Sequence, residues 1–304
     1  MKLNKNIFLA ILVAILTFTY FLSFTKHFTT HDTSKKIKTQ LVNEKYKKAI
    51  TKFEFTKGDE KLFLIKNDDF WILKEDEASK ACLAVDLQKI EKFIEELTSY
   101  REIKQLSSAL SQKNNYGFYD SNAVTLRYYT EDENFYELIF GGQDFSLQTR
   151  YFMVSSKTTV FEIDNTFDAY LELNIQTWSD SSIISKNILG DFDFDDVQSI
   201  KIVSKNQQSI LSKSNTKDFY DKVSSFLSLR HGGLAQNAAS NQYDLSLSFE
   251  FGNKRNVTLY FFESVEPGQY IIVSEYFIEI IGKKYYFTSK ISGWTYNKIK
   301  EIML

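Results

Sequence analysis

The chain has 304 residues, of which 43% are hydrophobic and 25% are charged, and its formal net charge is -2 at pH 7. This balance is typical of a folded protein and argues against a nucleic-acid binder, which would carry a clustered basic excess. A single cysteine, Cys82, excludes an internal disulfide framework and a metal site built from several cysteines.

An apolar run near the amino terminus predicts a membrane anchor over residues 1–26. Positions 7 to 24 carry no charge, which approaches the length that a membrane-spanning helix needs. Bulky aromatics stand where a signal peptidase would need small residues, so we expect the segment to be retained. Lysines lie on both sides of the run, and the short lysine-bearing tail before it favours an amino terminus inside the cell and the bulk of the chain outside. The expected membrane residues are Ile7, Leu9, Leu12, Ile15, Phe18, Phe21 and Phe24.

Residues 27–50 are predicted to form a basic juxtamembrane stalk. Ile37, Leu41, Tyr46 and Ile50 fall near one side of a helix. Two interpretations remain open: the stalk touches anionic headgroups, or it is a solvated spacer that its lysines keep soluble.

Residues 51–178 predict a first unit of strands and helices. "TKFEFT", "KLFLIK" and "DFWILK" read as a three-stranded meander with polar turns between them. From Asp86, a plausible N-cap, the apolar residues change to helical spacing. "AVTLRYY", "NFYELIFGG", "RYFMVSS" and "TVFEI" then predict four strands, and "NTFDAYLELNI" predicts a closing helix.

Residues 179–304 repeat this order. "VQSIKIVSK" and "QQSILSK" predict two strands, "NTKDFYDKVSSFLSL" a helix, and "DLSLSFEFG", "NVTLYFFES", "QYIIVSE" and "KYYFTS" four further strands. "SGWTYNKIKEIML" predicts a closing helix. The expected fold is therefore α+β: a transmembrane helix followed by two tandem, duplicated domains, each a mainly antiparallel sheet covered by helices.

Four stretches of the chain resemble a bacterial family called domain of unknown function 4340. They are "FWILKEDEASKACLAVDLQKIEKFIEELTSYREI", "NNYGFYDSNAVTLRYY", "LIFGGQDFSLQTRYFMVSSKTTVFEI" and "WSDSSIISKNILGDFDFDDVQSIKI". Phe118 stands where the family usually has Leu, and the proline that the family places after this motif is absent. The resemblance implies an N-terminal membrane anchor and an accessory role beside an ABC-type transporter, and it implies no enzymatic activity and no cofactor.

The acidic run "DFDFDD", Asp191 to Asp196, has the alternating carboxylates of a calcium loop. It lacks the glycine and the glutamate that such a loop needs, since Asp196 and Ile202 stand at those positions. We therefore expect its aspartates to face solvent while Phe192 and Phe194 point into the core.

Other candidate residues favour structural roles. Cys82 and His231 could form a nucleophile and base, but "SKACLAV" lacks oxyanion-forming context and a buried thiol is the commoner case. "RHGGLAQNAASNQ" predicts a flexible polar loop. Trp71, Trp178 and Trp294 are expected in the core or at a domain interface.

These observations predict a single-pass membrane protein, mainly extracytoplasmic, that has no catalytic residues, no cofactor and no metal. Its partners would be the membrane and an envelope or transporter protein. The competing hypotheses are a membrane-tethered hydrolase, a glycan-binding or peptide-binding protein of the envelope, and a purely structural scaffold. A deep polar pocket would separate these classes from a broad apolar patch or an open sheet edge.

Overall fold

The computed structural model describes residues 35–107, 115–132, 134–157, 159–190, 192–205, 207–235, 238, 241–252, 255–279 and 282–303. The predicted membrane anchor, Ile7 to Phe24 included, lies outside these residues. Within the described ranges, no helix is both long enough and apolar enough to cross a bilayer.

The described residues form two antiparallel sheets with a few helices, which is the α+β class that the sequence predicts. The first sheet has the strand order β1-β6-β10-β9-β8-β7-β2-β3-β4-β5. Its strands are β1 (Lys35–Thr39), β2 (Ile50–Lys57), β3 (Glu60–Asn67), β4 (Phe70–Lys74), β5 (Leu83–Ala84), β6 (Arg101–Ser107), β7 (Val124–Thr130), β8 (Phe135–Gln143), β9 (Thr149–Val154) and β10 (Val160–Asp164).

The second sheet has the order β12-β11-β13-β14-β15-β16. Its strands are β11 (Val197–Ser204), β12 (Gln207–Ser212), β13 (Leu245–Phe251), β14 (Arg255–Glu263), β15 (Gln269–Ile278) and β16 (Lys283–Ser292). The α-helices of the described chain are α1 (Leu87–Thr98), α2 (Ile175–Trp178), α3 (Lys186–Leu189), α4 (Phe219–Leu227) and α5 (Gly293–Met303). Short 3₁₀ helices span Glu44–Tyr46, Asn165–Tyr170 and Phe194–Asp196.

The two sheets share a strand order. The series β3-β2-β7-β8-β9-β10 in the first sheet matches β12-β11-β13-β14-β15-β16 in the second. Helix α1 lies in the chain between β3 and β7, and α4 lies between β12 and β13. Beyond β10 the first sheet continues with β6 and β1, and the second continues beyond β16 with Leu234, which bridges to Ser289.

Helix α1 shows how the sequence fixes the local structure. Asp86 caps it by accepting a hydrogen bond from the Lys89 amide at 3.1 Å. Ile90, Phe93 and Leu97 recur at helical spacing and are fully buried. The Phe93 ring packs against Phe53 and Trp178, so the helix covers the first sheet with a largely aromatic contact.

Each sheet has its own core, and a few residues cross between them. Phe70, Cys82 and Ala84 precede α1 in the chain but pack in the core of the second sheet. Leu234, from the second half, packs in the core of the first. Phe70 meets the Tyr285 ring edge-on at 4.8 Å between ring centres. The two halves are therefore joined by apolar packing as well as by the polypeptide.

The helical prediction for the stalk is wrong over the described part of residues 27–50. Lys35–Thr39 is strand β1, whose Ile37 is paired with Ile103 of β6. Val42, three residues after β1, is 1% exposed and belongs to the first core. The apolar residues have helical spacing, but they belong to a strand and a short 3₁₀ helix. The strand forms because pairing with β6 satisfies the hydrogen-bonding groups of its extended backbone.

The closing helix predicted from "NTFDAYLELNI" is also wrong as a single element. The stretch forms the 3₁₀ helix Asn165–Tyr170 and only then, after a break, helix α2. Asp164 caps the first piece and Asn174 caps the second, so two side-chain caps divide the segment.

Candidate binding cleft between the two sheets

A cleft of about 700 Å³ opens where the two halves meet. Its walls come from the tail of the first half, from the loop after α4, and from the β14–β15 hairpin with β16. The lining residues are Glu75, Leu173, Asn174, Ile175, Gln176, Gly232, Gly233, Leu234, Ala235, Ser264, Val265, Glu266, Gln269, Ile271 and Lys290.

One wall is a short extended segment that runs beside β16. The Gly232 amide donates to the Lys290 carbonyl at 2.7 Å, and the Lys290 amide donates to the Gly233 carbonyl at 2.9 Å. Gly233 has φ of 114°, a conformation that side chains rarely adopt, so glycine is required there. Residues 232–235 are a loop, as predicted from "RHGGLAQNAASNQ", and these hydrogen bonds hold them beside β16.

The opposite wall is the start of helix α2. Asn174 accepts a hydrogen bond from the Gln176 amide at 2.9 Å and so fixes the first turn. The Gln176 side chain then donates to the Gly232 carbonyl at 3.4 Å, which ties this wall to the segment beside β16. The cleft is thus assembled from parts that are far apart in the sequence.

The rim of the cleft is the turn between β14 and β15. The Ser264 amide donates to the Gln269 carbonyl at 3.1 Å, and the Glu266 amide donates to the Ser264 hydroxyl at 3.2 Å. Val265 is 62% exposed at the tip of this turn. A fixed backbone therefore presents an apolar side chain at the entrance.

The cleft presents both charged and hydrogen-bonding groups. Glu75, Glu266 and Lys290 bring charge to its lining. Asn174, Gln176 and Gln269 supply amide groups, which donate and accept but do not transfer protons. Buried Leu234 and Ile271 add an apolar floor. A few polar groups over an apolar floor are typical of a binding site.

His231 directly precedes the glycine wall of the cleft, Gly232 and Gly233, and has a structural role. Its Nδ1 accepts a hydrogen bond from the Gly233 amide at 3.1 Å, so Nε2 carries the proton and donates to the Asp180 carbonyl at 2.7 Å. Burial lowers the pKa of the imidazole, which is therefore neutral at pH 7. Both ring nitrogens hold the loop in place.

Cys82 does not pair with His231. Its thiol donates to the Tyr286 carbonyl at 3.3 Å, and burial raises the pKa of Cys82 to about 11. A thiol with this pKa is protonated at neutral pH, so it is a poor nucleophile. The structure thus does not bring the suspected nucleophile and base together.

The described part of the acidic run, residues 192–196, has the arrangement expected for a structural role; Asp191 and the side chain of Phe194 lie outside the described residues. Phe192 is 3% exposed, while Asp193 and Asp196 are exposed. The Asp196 carboxylate accepts a hydrogen bond from the Asp193 amide at 2.8 Å, closing a local turn. Among the described residues, no three potential metal ligands gather in one place.

The tryptophans divide between core and surface. Trp71 and Trp178 are buried in the first core, as predicted. The prediction for Trp294 is wrong, because this residue is 72% exposed. It occupies the first turn of α5, whose buried residues begin with Thr295 and Tyr296.

The motifs "NNYGFYDS" and "LIFGG" meet on the outer side of the first sheet. The ladder between β8 and β9 shifts register between Phe140 and Gln143, which makes a bulge at the two glycines. A Cβ on Gly141 would lie only 2.2 Å from the Tyr116 carbonyl oxygen, so the loop needs glycine there. Phe118 packs with Met153 and Val160 in a small separate core.

A second recess, of about 450 Å³, opens beside this contact. Arg150 donates to the Gly141 carbonyl at 2.6 Å and to Asp168. Asp168 also accepts from Gln143. These bonds hold the bulge to the 3₁₀ helix Asn165–Tyr170, so Arg150 and Asp168 have internal partners.

Sequence reasoning missed the residues of the larger cleft. The local sequence pointed to this part of the chain only through the two adjacent glycines at 232 and 233, which predicted a turn in a flexible loop. The amides of Gln176 and Gln269 look like ordinary surface residues in the sequence, because only the assembly of the two halves brings them to one recess.

The fold and the cleft define a class of protein: paired antiparallel-sheet units that enclose a hydrogen-bonding recess between them. The sequence model of the family "Domain of unknown function (DUF4340)" matches residues 71–247, which is more than half of the chain. The protein belongs to this family, as the motifs had suggested. No curated protein and no solved structure matches the chain.

Proposed function

We propose that the protein is a membrane-anchored, extracytoplasmic, non-enzymatic binding protein, and that it acts as an accessory subunit of an ABC-type transporter. The cleft between the sheets carries the proposal, because it joins amide groups, an apolar floor and a fixed rim in one recess of about 700 Å³. Ligand recesses commonly form where two domains meet. The transporter association rests on the family resemblance.

The membrane location is supported by the sequence. The uncharged run from Ile7 to Phe24 would hold the protein in the cell membrane as a single span. A tether to the same membrane as the transporter raises the effective concentration of the partner, so a modest contact at the cleft suffices.

We also propose that residues 51–178 and 179–304 are duplicated copies of one unit. The shared strand order supports this. Equivalent contacts support it too: Asn165 donates to the Gln148 carbonyl at 3.0 Å, and Gly293 donates to the Gly268 carbonyl at 2.7 Å. Both bonds join the turn before the penultimate strand to the residue that follows the last strand.

A glycan or an extended peptide is the alternative ligand. Side-chain amides at the cleft, such as Gln176 and Gln269, form the hydrogen bonds that hydroxyl-rich or peptide ligands offer. The amide groups support ligand binding at the cleft.

The proposal is tested by photo-crosslinking in the native membrane. A photoreactive phenylalanine analogue replaces Val265 at the rim, and the same analogue replaces Tyr220, which is 45% exposed on α4, as the control. We expect Val265 to crosslink to a subunit of an ABC transporter and Tyr220 not to do so. Equal yields at both positions, or a glycan adduct at Val265, would overturn the transporter proposal.

A second experiment tests the absence of side-chain chemistry. Cys82→Ser and Asp193→Asn should each leave the Val265 crosslink in place, because the Cys82 thiol is bonded internally and the exposed Asp193 side chain lies outside the cleft. His231→Ala should also leave it in place apart from any loss traceable to stability, since this ring holds the loop that forms one wall of the cleft. Abolition of the crosslink or of the cellular phenotype by one of these changes, in a protein that stays folded and abundant, would contradict a non-enzymatic function.

A further inference from the structure

The turn between β8 and β9 holds two large apolar side chains in solvent. Phe145 is fully exposed and Leu147 is 62% exposed. Scattered exposed apolar residues are normal on a protein surface, but two within one tight turn form a projecting apolar tip. We call residues 144–148 the apolar tip.

The apolar tip has a fixed backbone. The Asp144 carboxylate accepts hydrogen bonds from the amides of Ser146, Gln148 and Thr149, each at 3.1 Å. The Ser146 hydroxyl also donates to it, at 2.6 Å. These bonds lower the pKa of Asp144 to about 2, so the carboxylate that organises the turn stays charged.

Leu147 has an unfavourable backbone conformation. Its φ is 59°, in the left-handed region that leucine avoids. The Leu147 amide donates to the Asp144 carbonyl at 3.1 Å, and the Asn165 side chain donates to the Leu147 carbonyl at 3.0 Å. The fold therefore holds a strained leucine whose side chain points mainly into solvent, a combination that is common at functional sites.

The corresponding turn of the second half repeats the exposure. Val265 is 62% exposed in the β14–β15 turn. Trp294, 72% exposed, follows Gly293, whose amide bonds to the Gly268 carbonyl of the same turn. Aromatic residues of this kind are enriched among the residues that dominate binding energy at interfaces.

The charges beside the apolar tip favour a protein over a lipid surface. Asp164 pairs with Arg101, and Asp168 pairs with Arg150, so these acids are neutralised. Asp144 stays as an anion with polar partners only, and an anionic membrane surface would repel it.

The direction of strand β1 relates the tip to the start of the described chain. Strand β1 runs toward the end of the sheet that bears the tip, since Lys38 pairs with Glu102 and Lys35 pairs with Gln105. The chain therefore enters the first sheet at the end farther from the tip. The tip therefore lies at the end of the sheet opposite to the one at which the described chain begins.

We propose that Phe145 and Leu147 insert into an apolar socket with a basic rim on a partner protein of the same envelope. Phe145 fills the socket, Asp144 faces the basic rim, and the hydrogen bonds of the turn fix the approach before binding. A preformed turn loses little conformational freedom on association.

The test uses the full chain in its native membrane. The photoreactive phenylalanine analogue replaces Phe145, and in a matched control it replaces Tyr100, which is 64% exposed in the first half. We expect one protein adduct from position 145, identified by mass spectrometry as an envelope protein with a basic-rimmed apolar pocket. Leu147→Asn in the same chain should reduce its yield at least about tenfold, because truncation of an interface anchor commonly has this effect.

The unfolding temperature of the Leu147→Asn variant distinguishes a folding defect from a binding defect. Asparagine tolerates the left-handed conformation better than leucine, so the midpoint temperature of unfolding should be unchanged or raised. A reduced yield with an undiminished midpoint supports the socket. A lowered midpoint, or a yield that Leu147→Asn leaves unchanged, overturns it.

Two other occupants of the tip would also overturn the proposal. The full chain with Phe145→Cys, labelled with a polarity-sensitive dye, is reconstituted in vesicles of phosphatidylethanolamine and phosphatidylglycerol; strong dye burial there would mean a lipid surface. An adduct of twice the chain mass would mean a second copy.

The result also separates this proposal from the proposed function. Crosslinks to a transporter subunit from Val265 with none from position 145 would remove only the socket. A non-transporter partner at both positions would remove the transporter role and leave the socket standing.

Discussion

Gly141→Ala should separate the loop that bears Tyr116 from the first sheet. A Cβ at position 141 would lie 2.2 Å from the Tyr116 carbonyl oxygen and 2.9 Å from a ring carbon of Phe118. The first contact is with backbone, so no side-chain rotation relieves it. The loop must move outward by about 1 Å to restore ordinary van der Waals distance.

The cost follows from what the loop covers. Phe118 is 7% exposed and packs with Met153 and Val160 in the small outer core. Overpacking alone costs about 1–3 kcal/mol, and partial exposure of a phenylalanine adds about 1–2 kcal/mol. We expect Gly141→Ala to lower the free energy of unfolding by about 2–5 kcal/mol.

Gly142→Ala is the matched control. A Cβ there would lie 3.7 Å from the Tyr116 carbonyl oxygen, an ordinary contact, so its effect should stay within about 1 kcal/mol. Urea unfolding of the full chain in detergent, followed by tryptophan fluorescence, reports on the first core through the buried Trp71 and Trp178. Equal unfolding free energies for the two alanine variants would refute the steric argument.

Further predictions concern the contact between the halves, the thiol and the tryptophans. Lys283 hydrogen-bonds to Asp68 at 2.7 Å and lowers the pKa of that carboxyl. A depressed carboxyl pKa stabilises the fold above the ordinary value of 3.8 and loses this effect as pH falls through the folded value, so Asp68→Asn should flatten the acid limb of thermal unfolding midpoints. An unchanged acid limb would contradict the pairing. Cys82, with a pKa of about 11, should resist iodoacetamide at about pH 8 until the chain is unfolded, and rapid labelling of the folded chain would contradict its burial. Trp178→Ala should destabilise by about 3–5 kcal/mol, whereas Trp294→Ala should change stability by less than about 0.5 kcal/mol in the same urea assay. Equal losses for the two would contradict their burial.

The regular elements were predictable because their patterns are local. "TKFEFT" alternates, and Phe53 and Phe55 are both fully buried in β2. Asp86 signalled the start of α1 and caps it. In the second half, the predicted strand and helix order matches the observed elements from β11 to α5.

Elements that depend on distant partners were missed. Strand β6 has the sequence "REIKQLS", which reads as a polar stretch because only Ile103 of its described side chains is buried. It is a strand because β1 and β10 pair with it on both sides. Strand β5, Leu83–Ala84, is too short for its sequence to show the alternation of apolar and polar residues that predicts a strand.

The cleft and the apolar tip were beyond sequence reasoning for related reasons. The cleft brings together residues near positions 175, 233 and 265, and no local sequence pattern predicts that these segments are in contact. Phe145 and Leu147 lie between two predicted strands, and the sequence alone did not indicate that both are exposed. Their exposure follows from the four hydrogen bonds of Asp144, which turn the chain back before either side chain reaches the core.

The two halves look like separate modules, but each contributes residues to the core of the other. Phe70, Cys82 and Ala84 complete the second core, and Leu234 completes part of the first. A gene fragment cut at residue 178 would leave apolar gaps in one product and unburied apolar side chains in the other. Replacing one half alone would therefore break the packing of both cores, so the two halves form one structural unit.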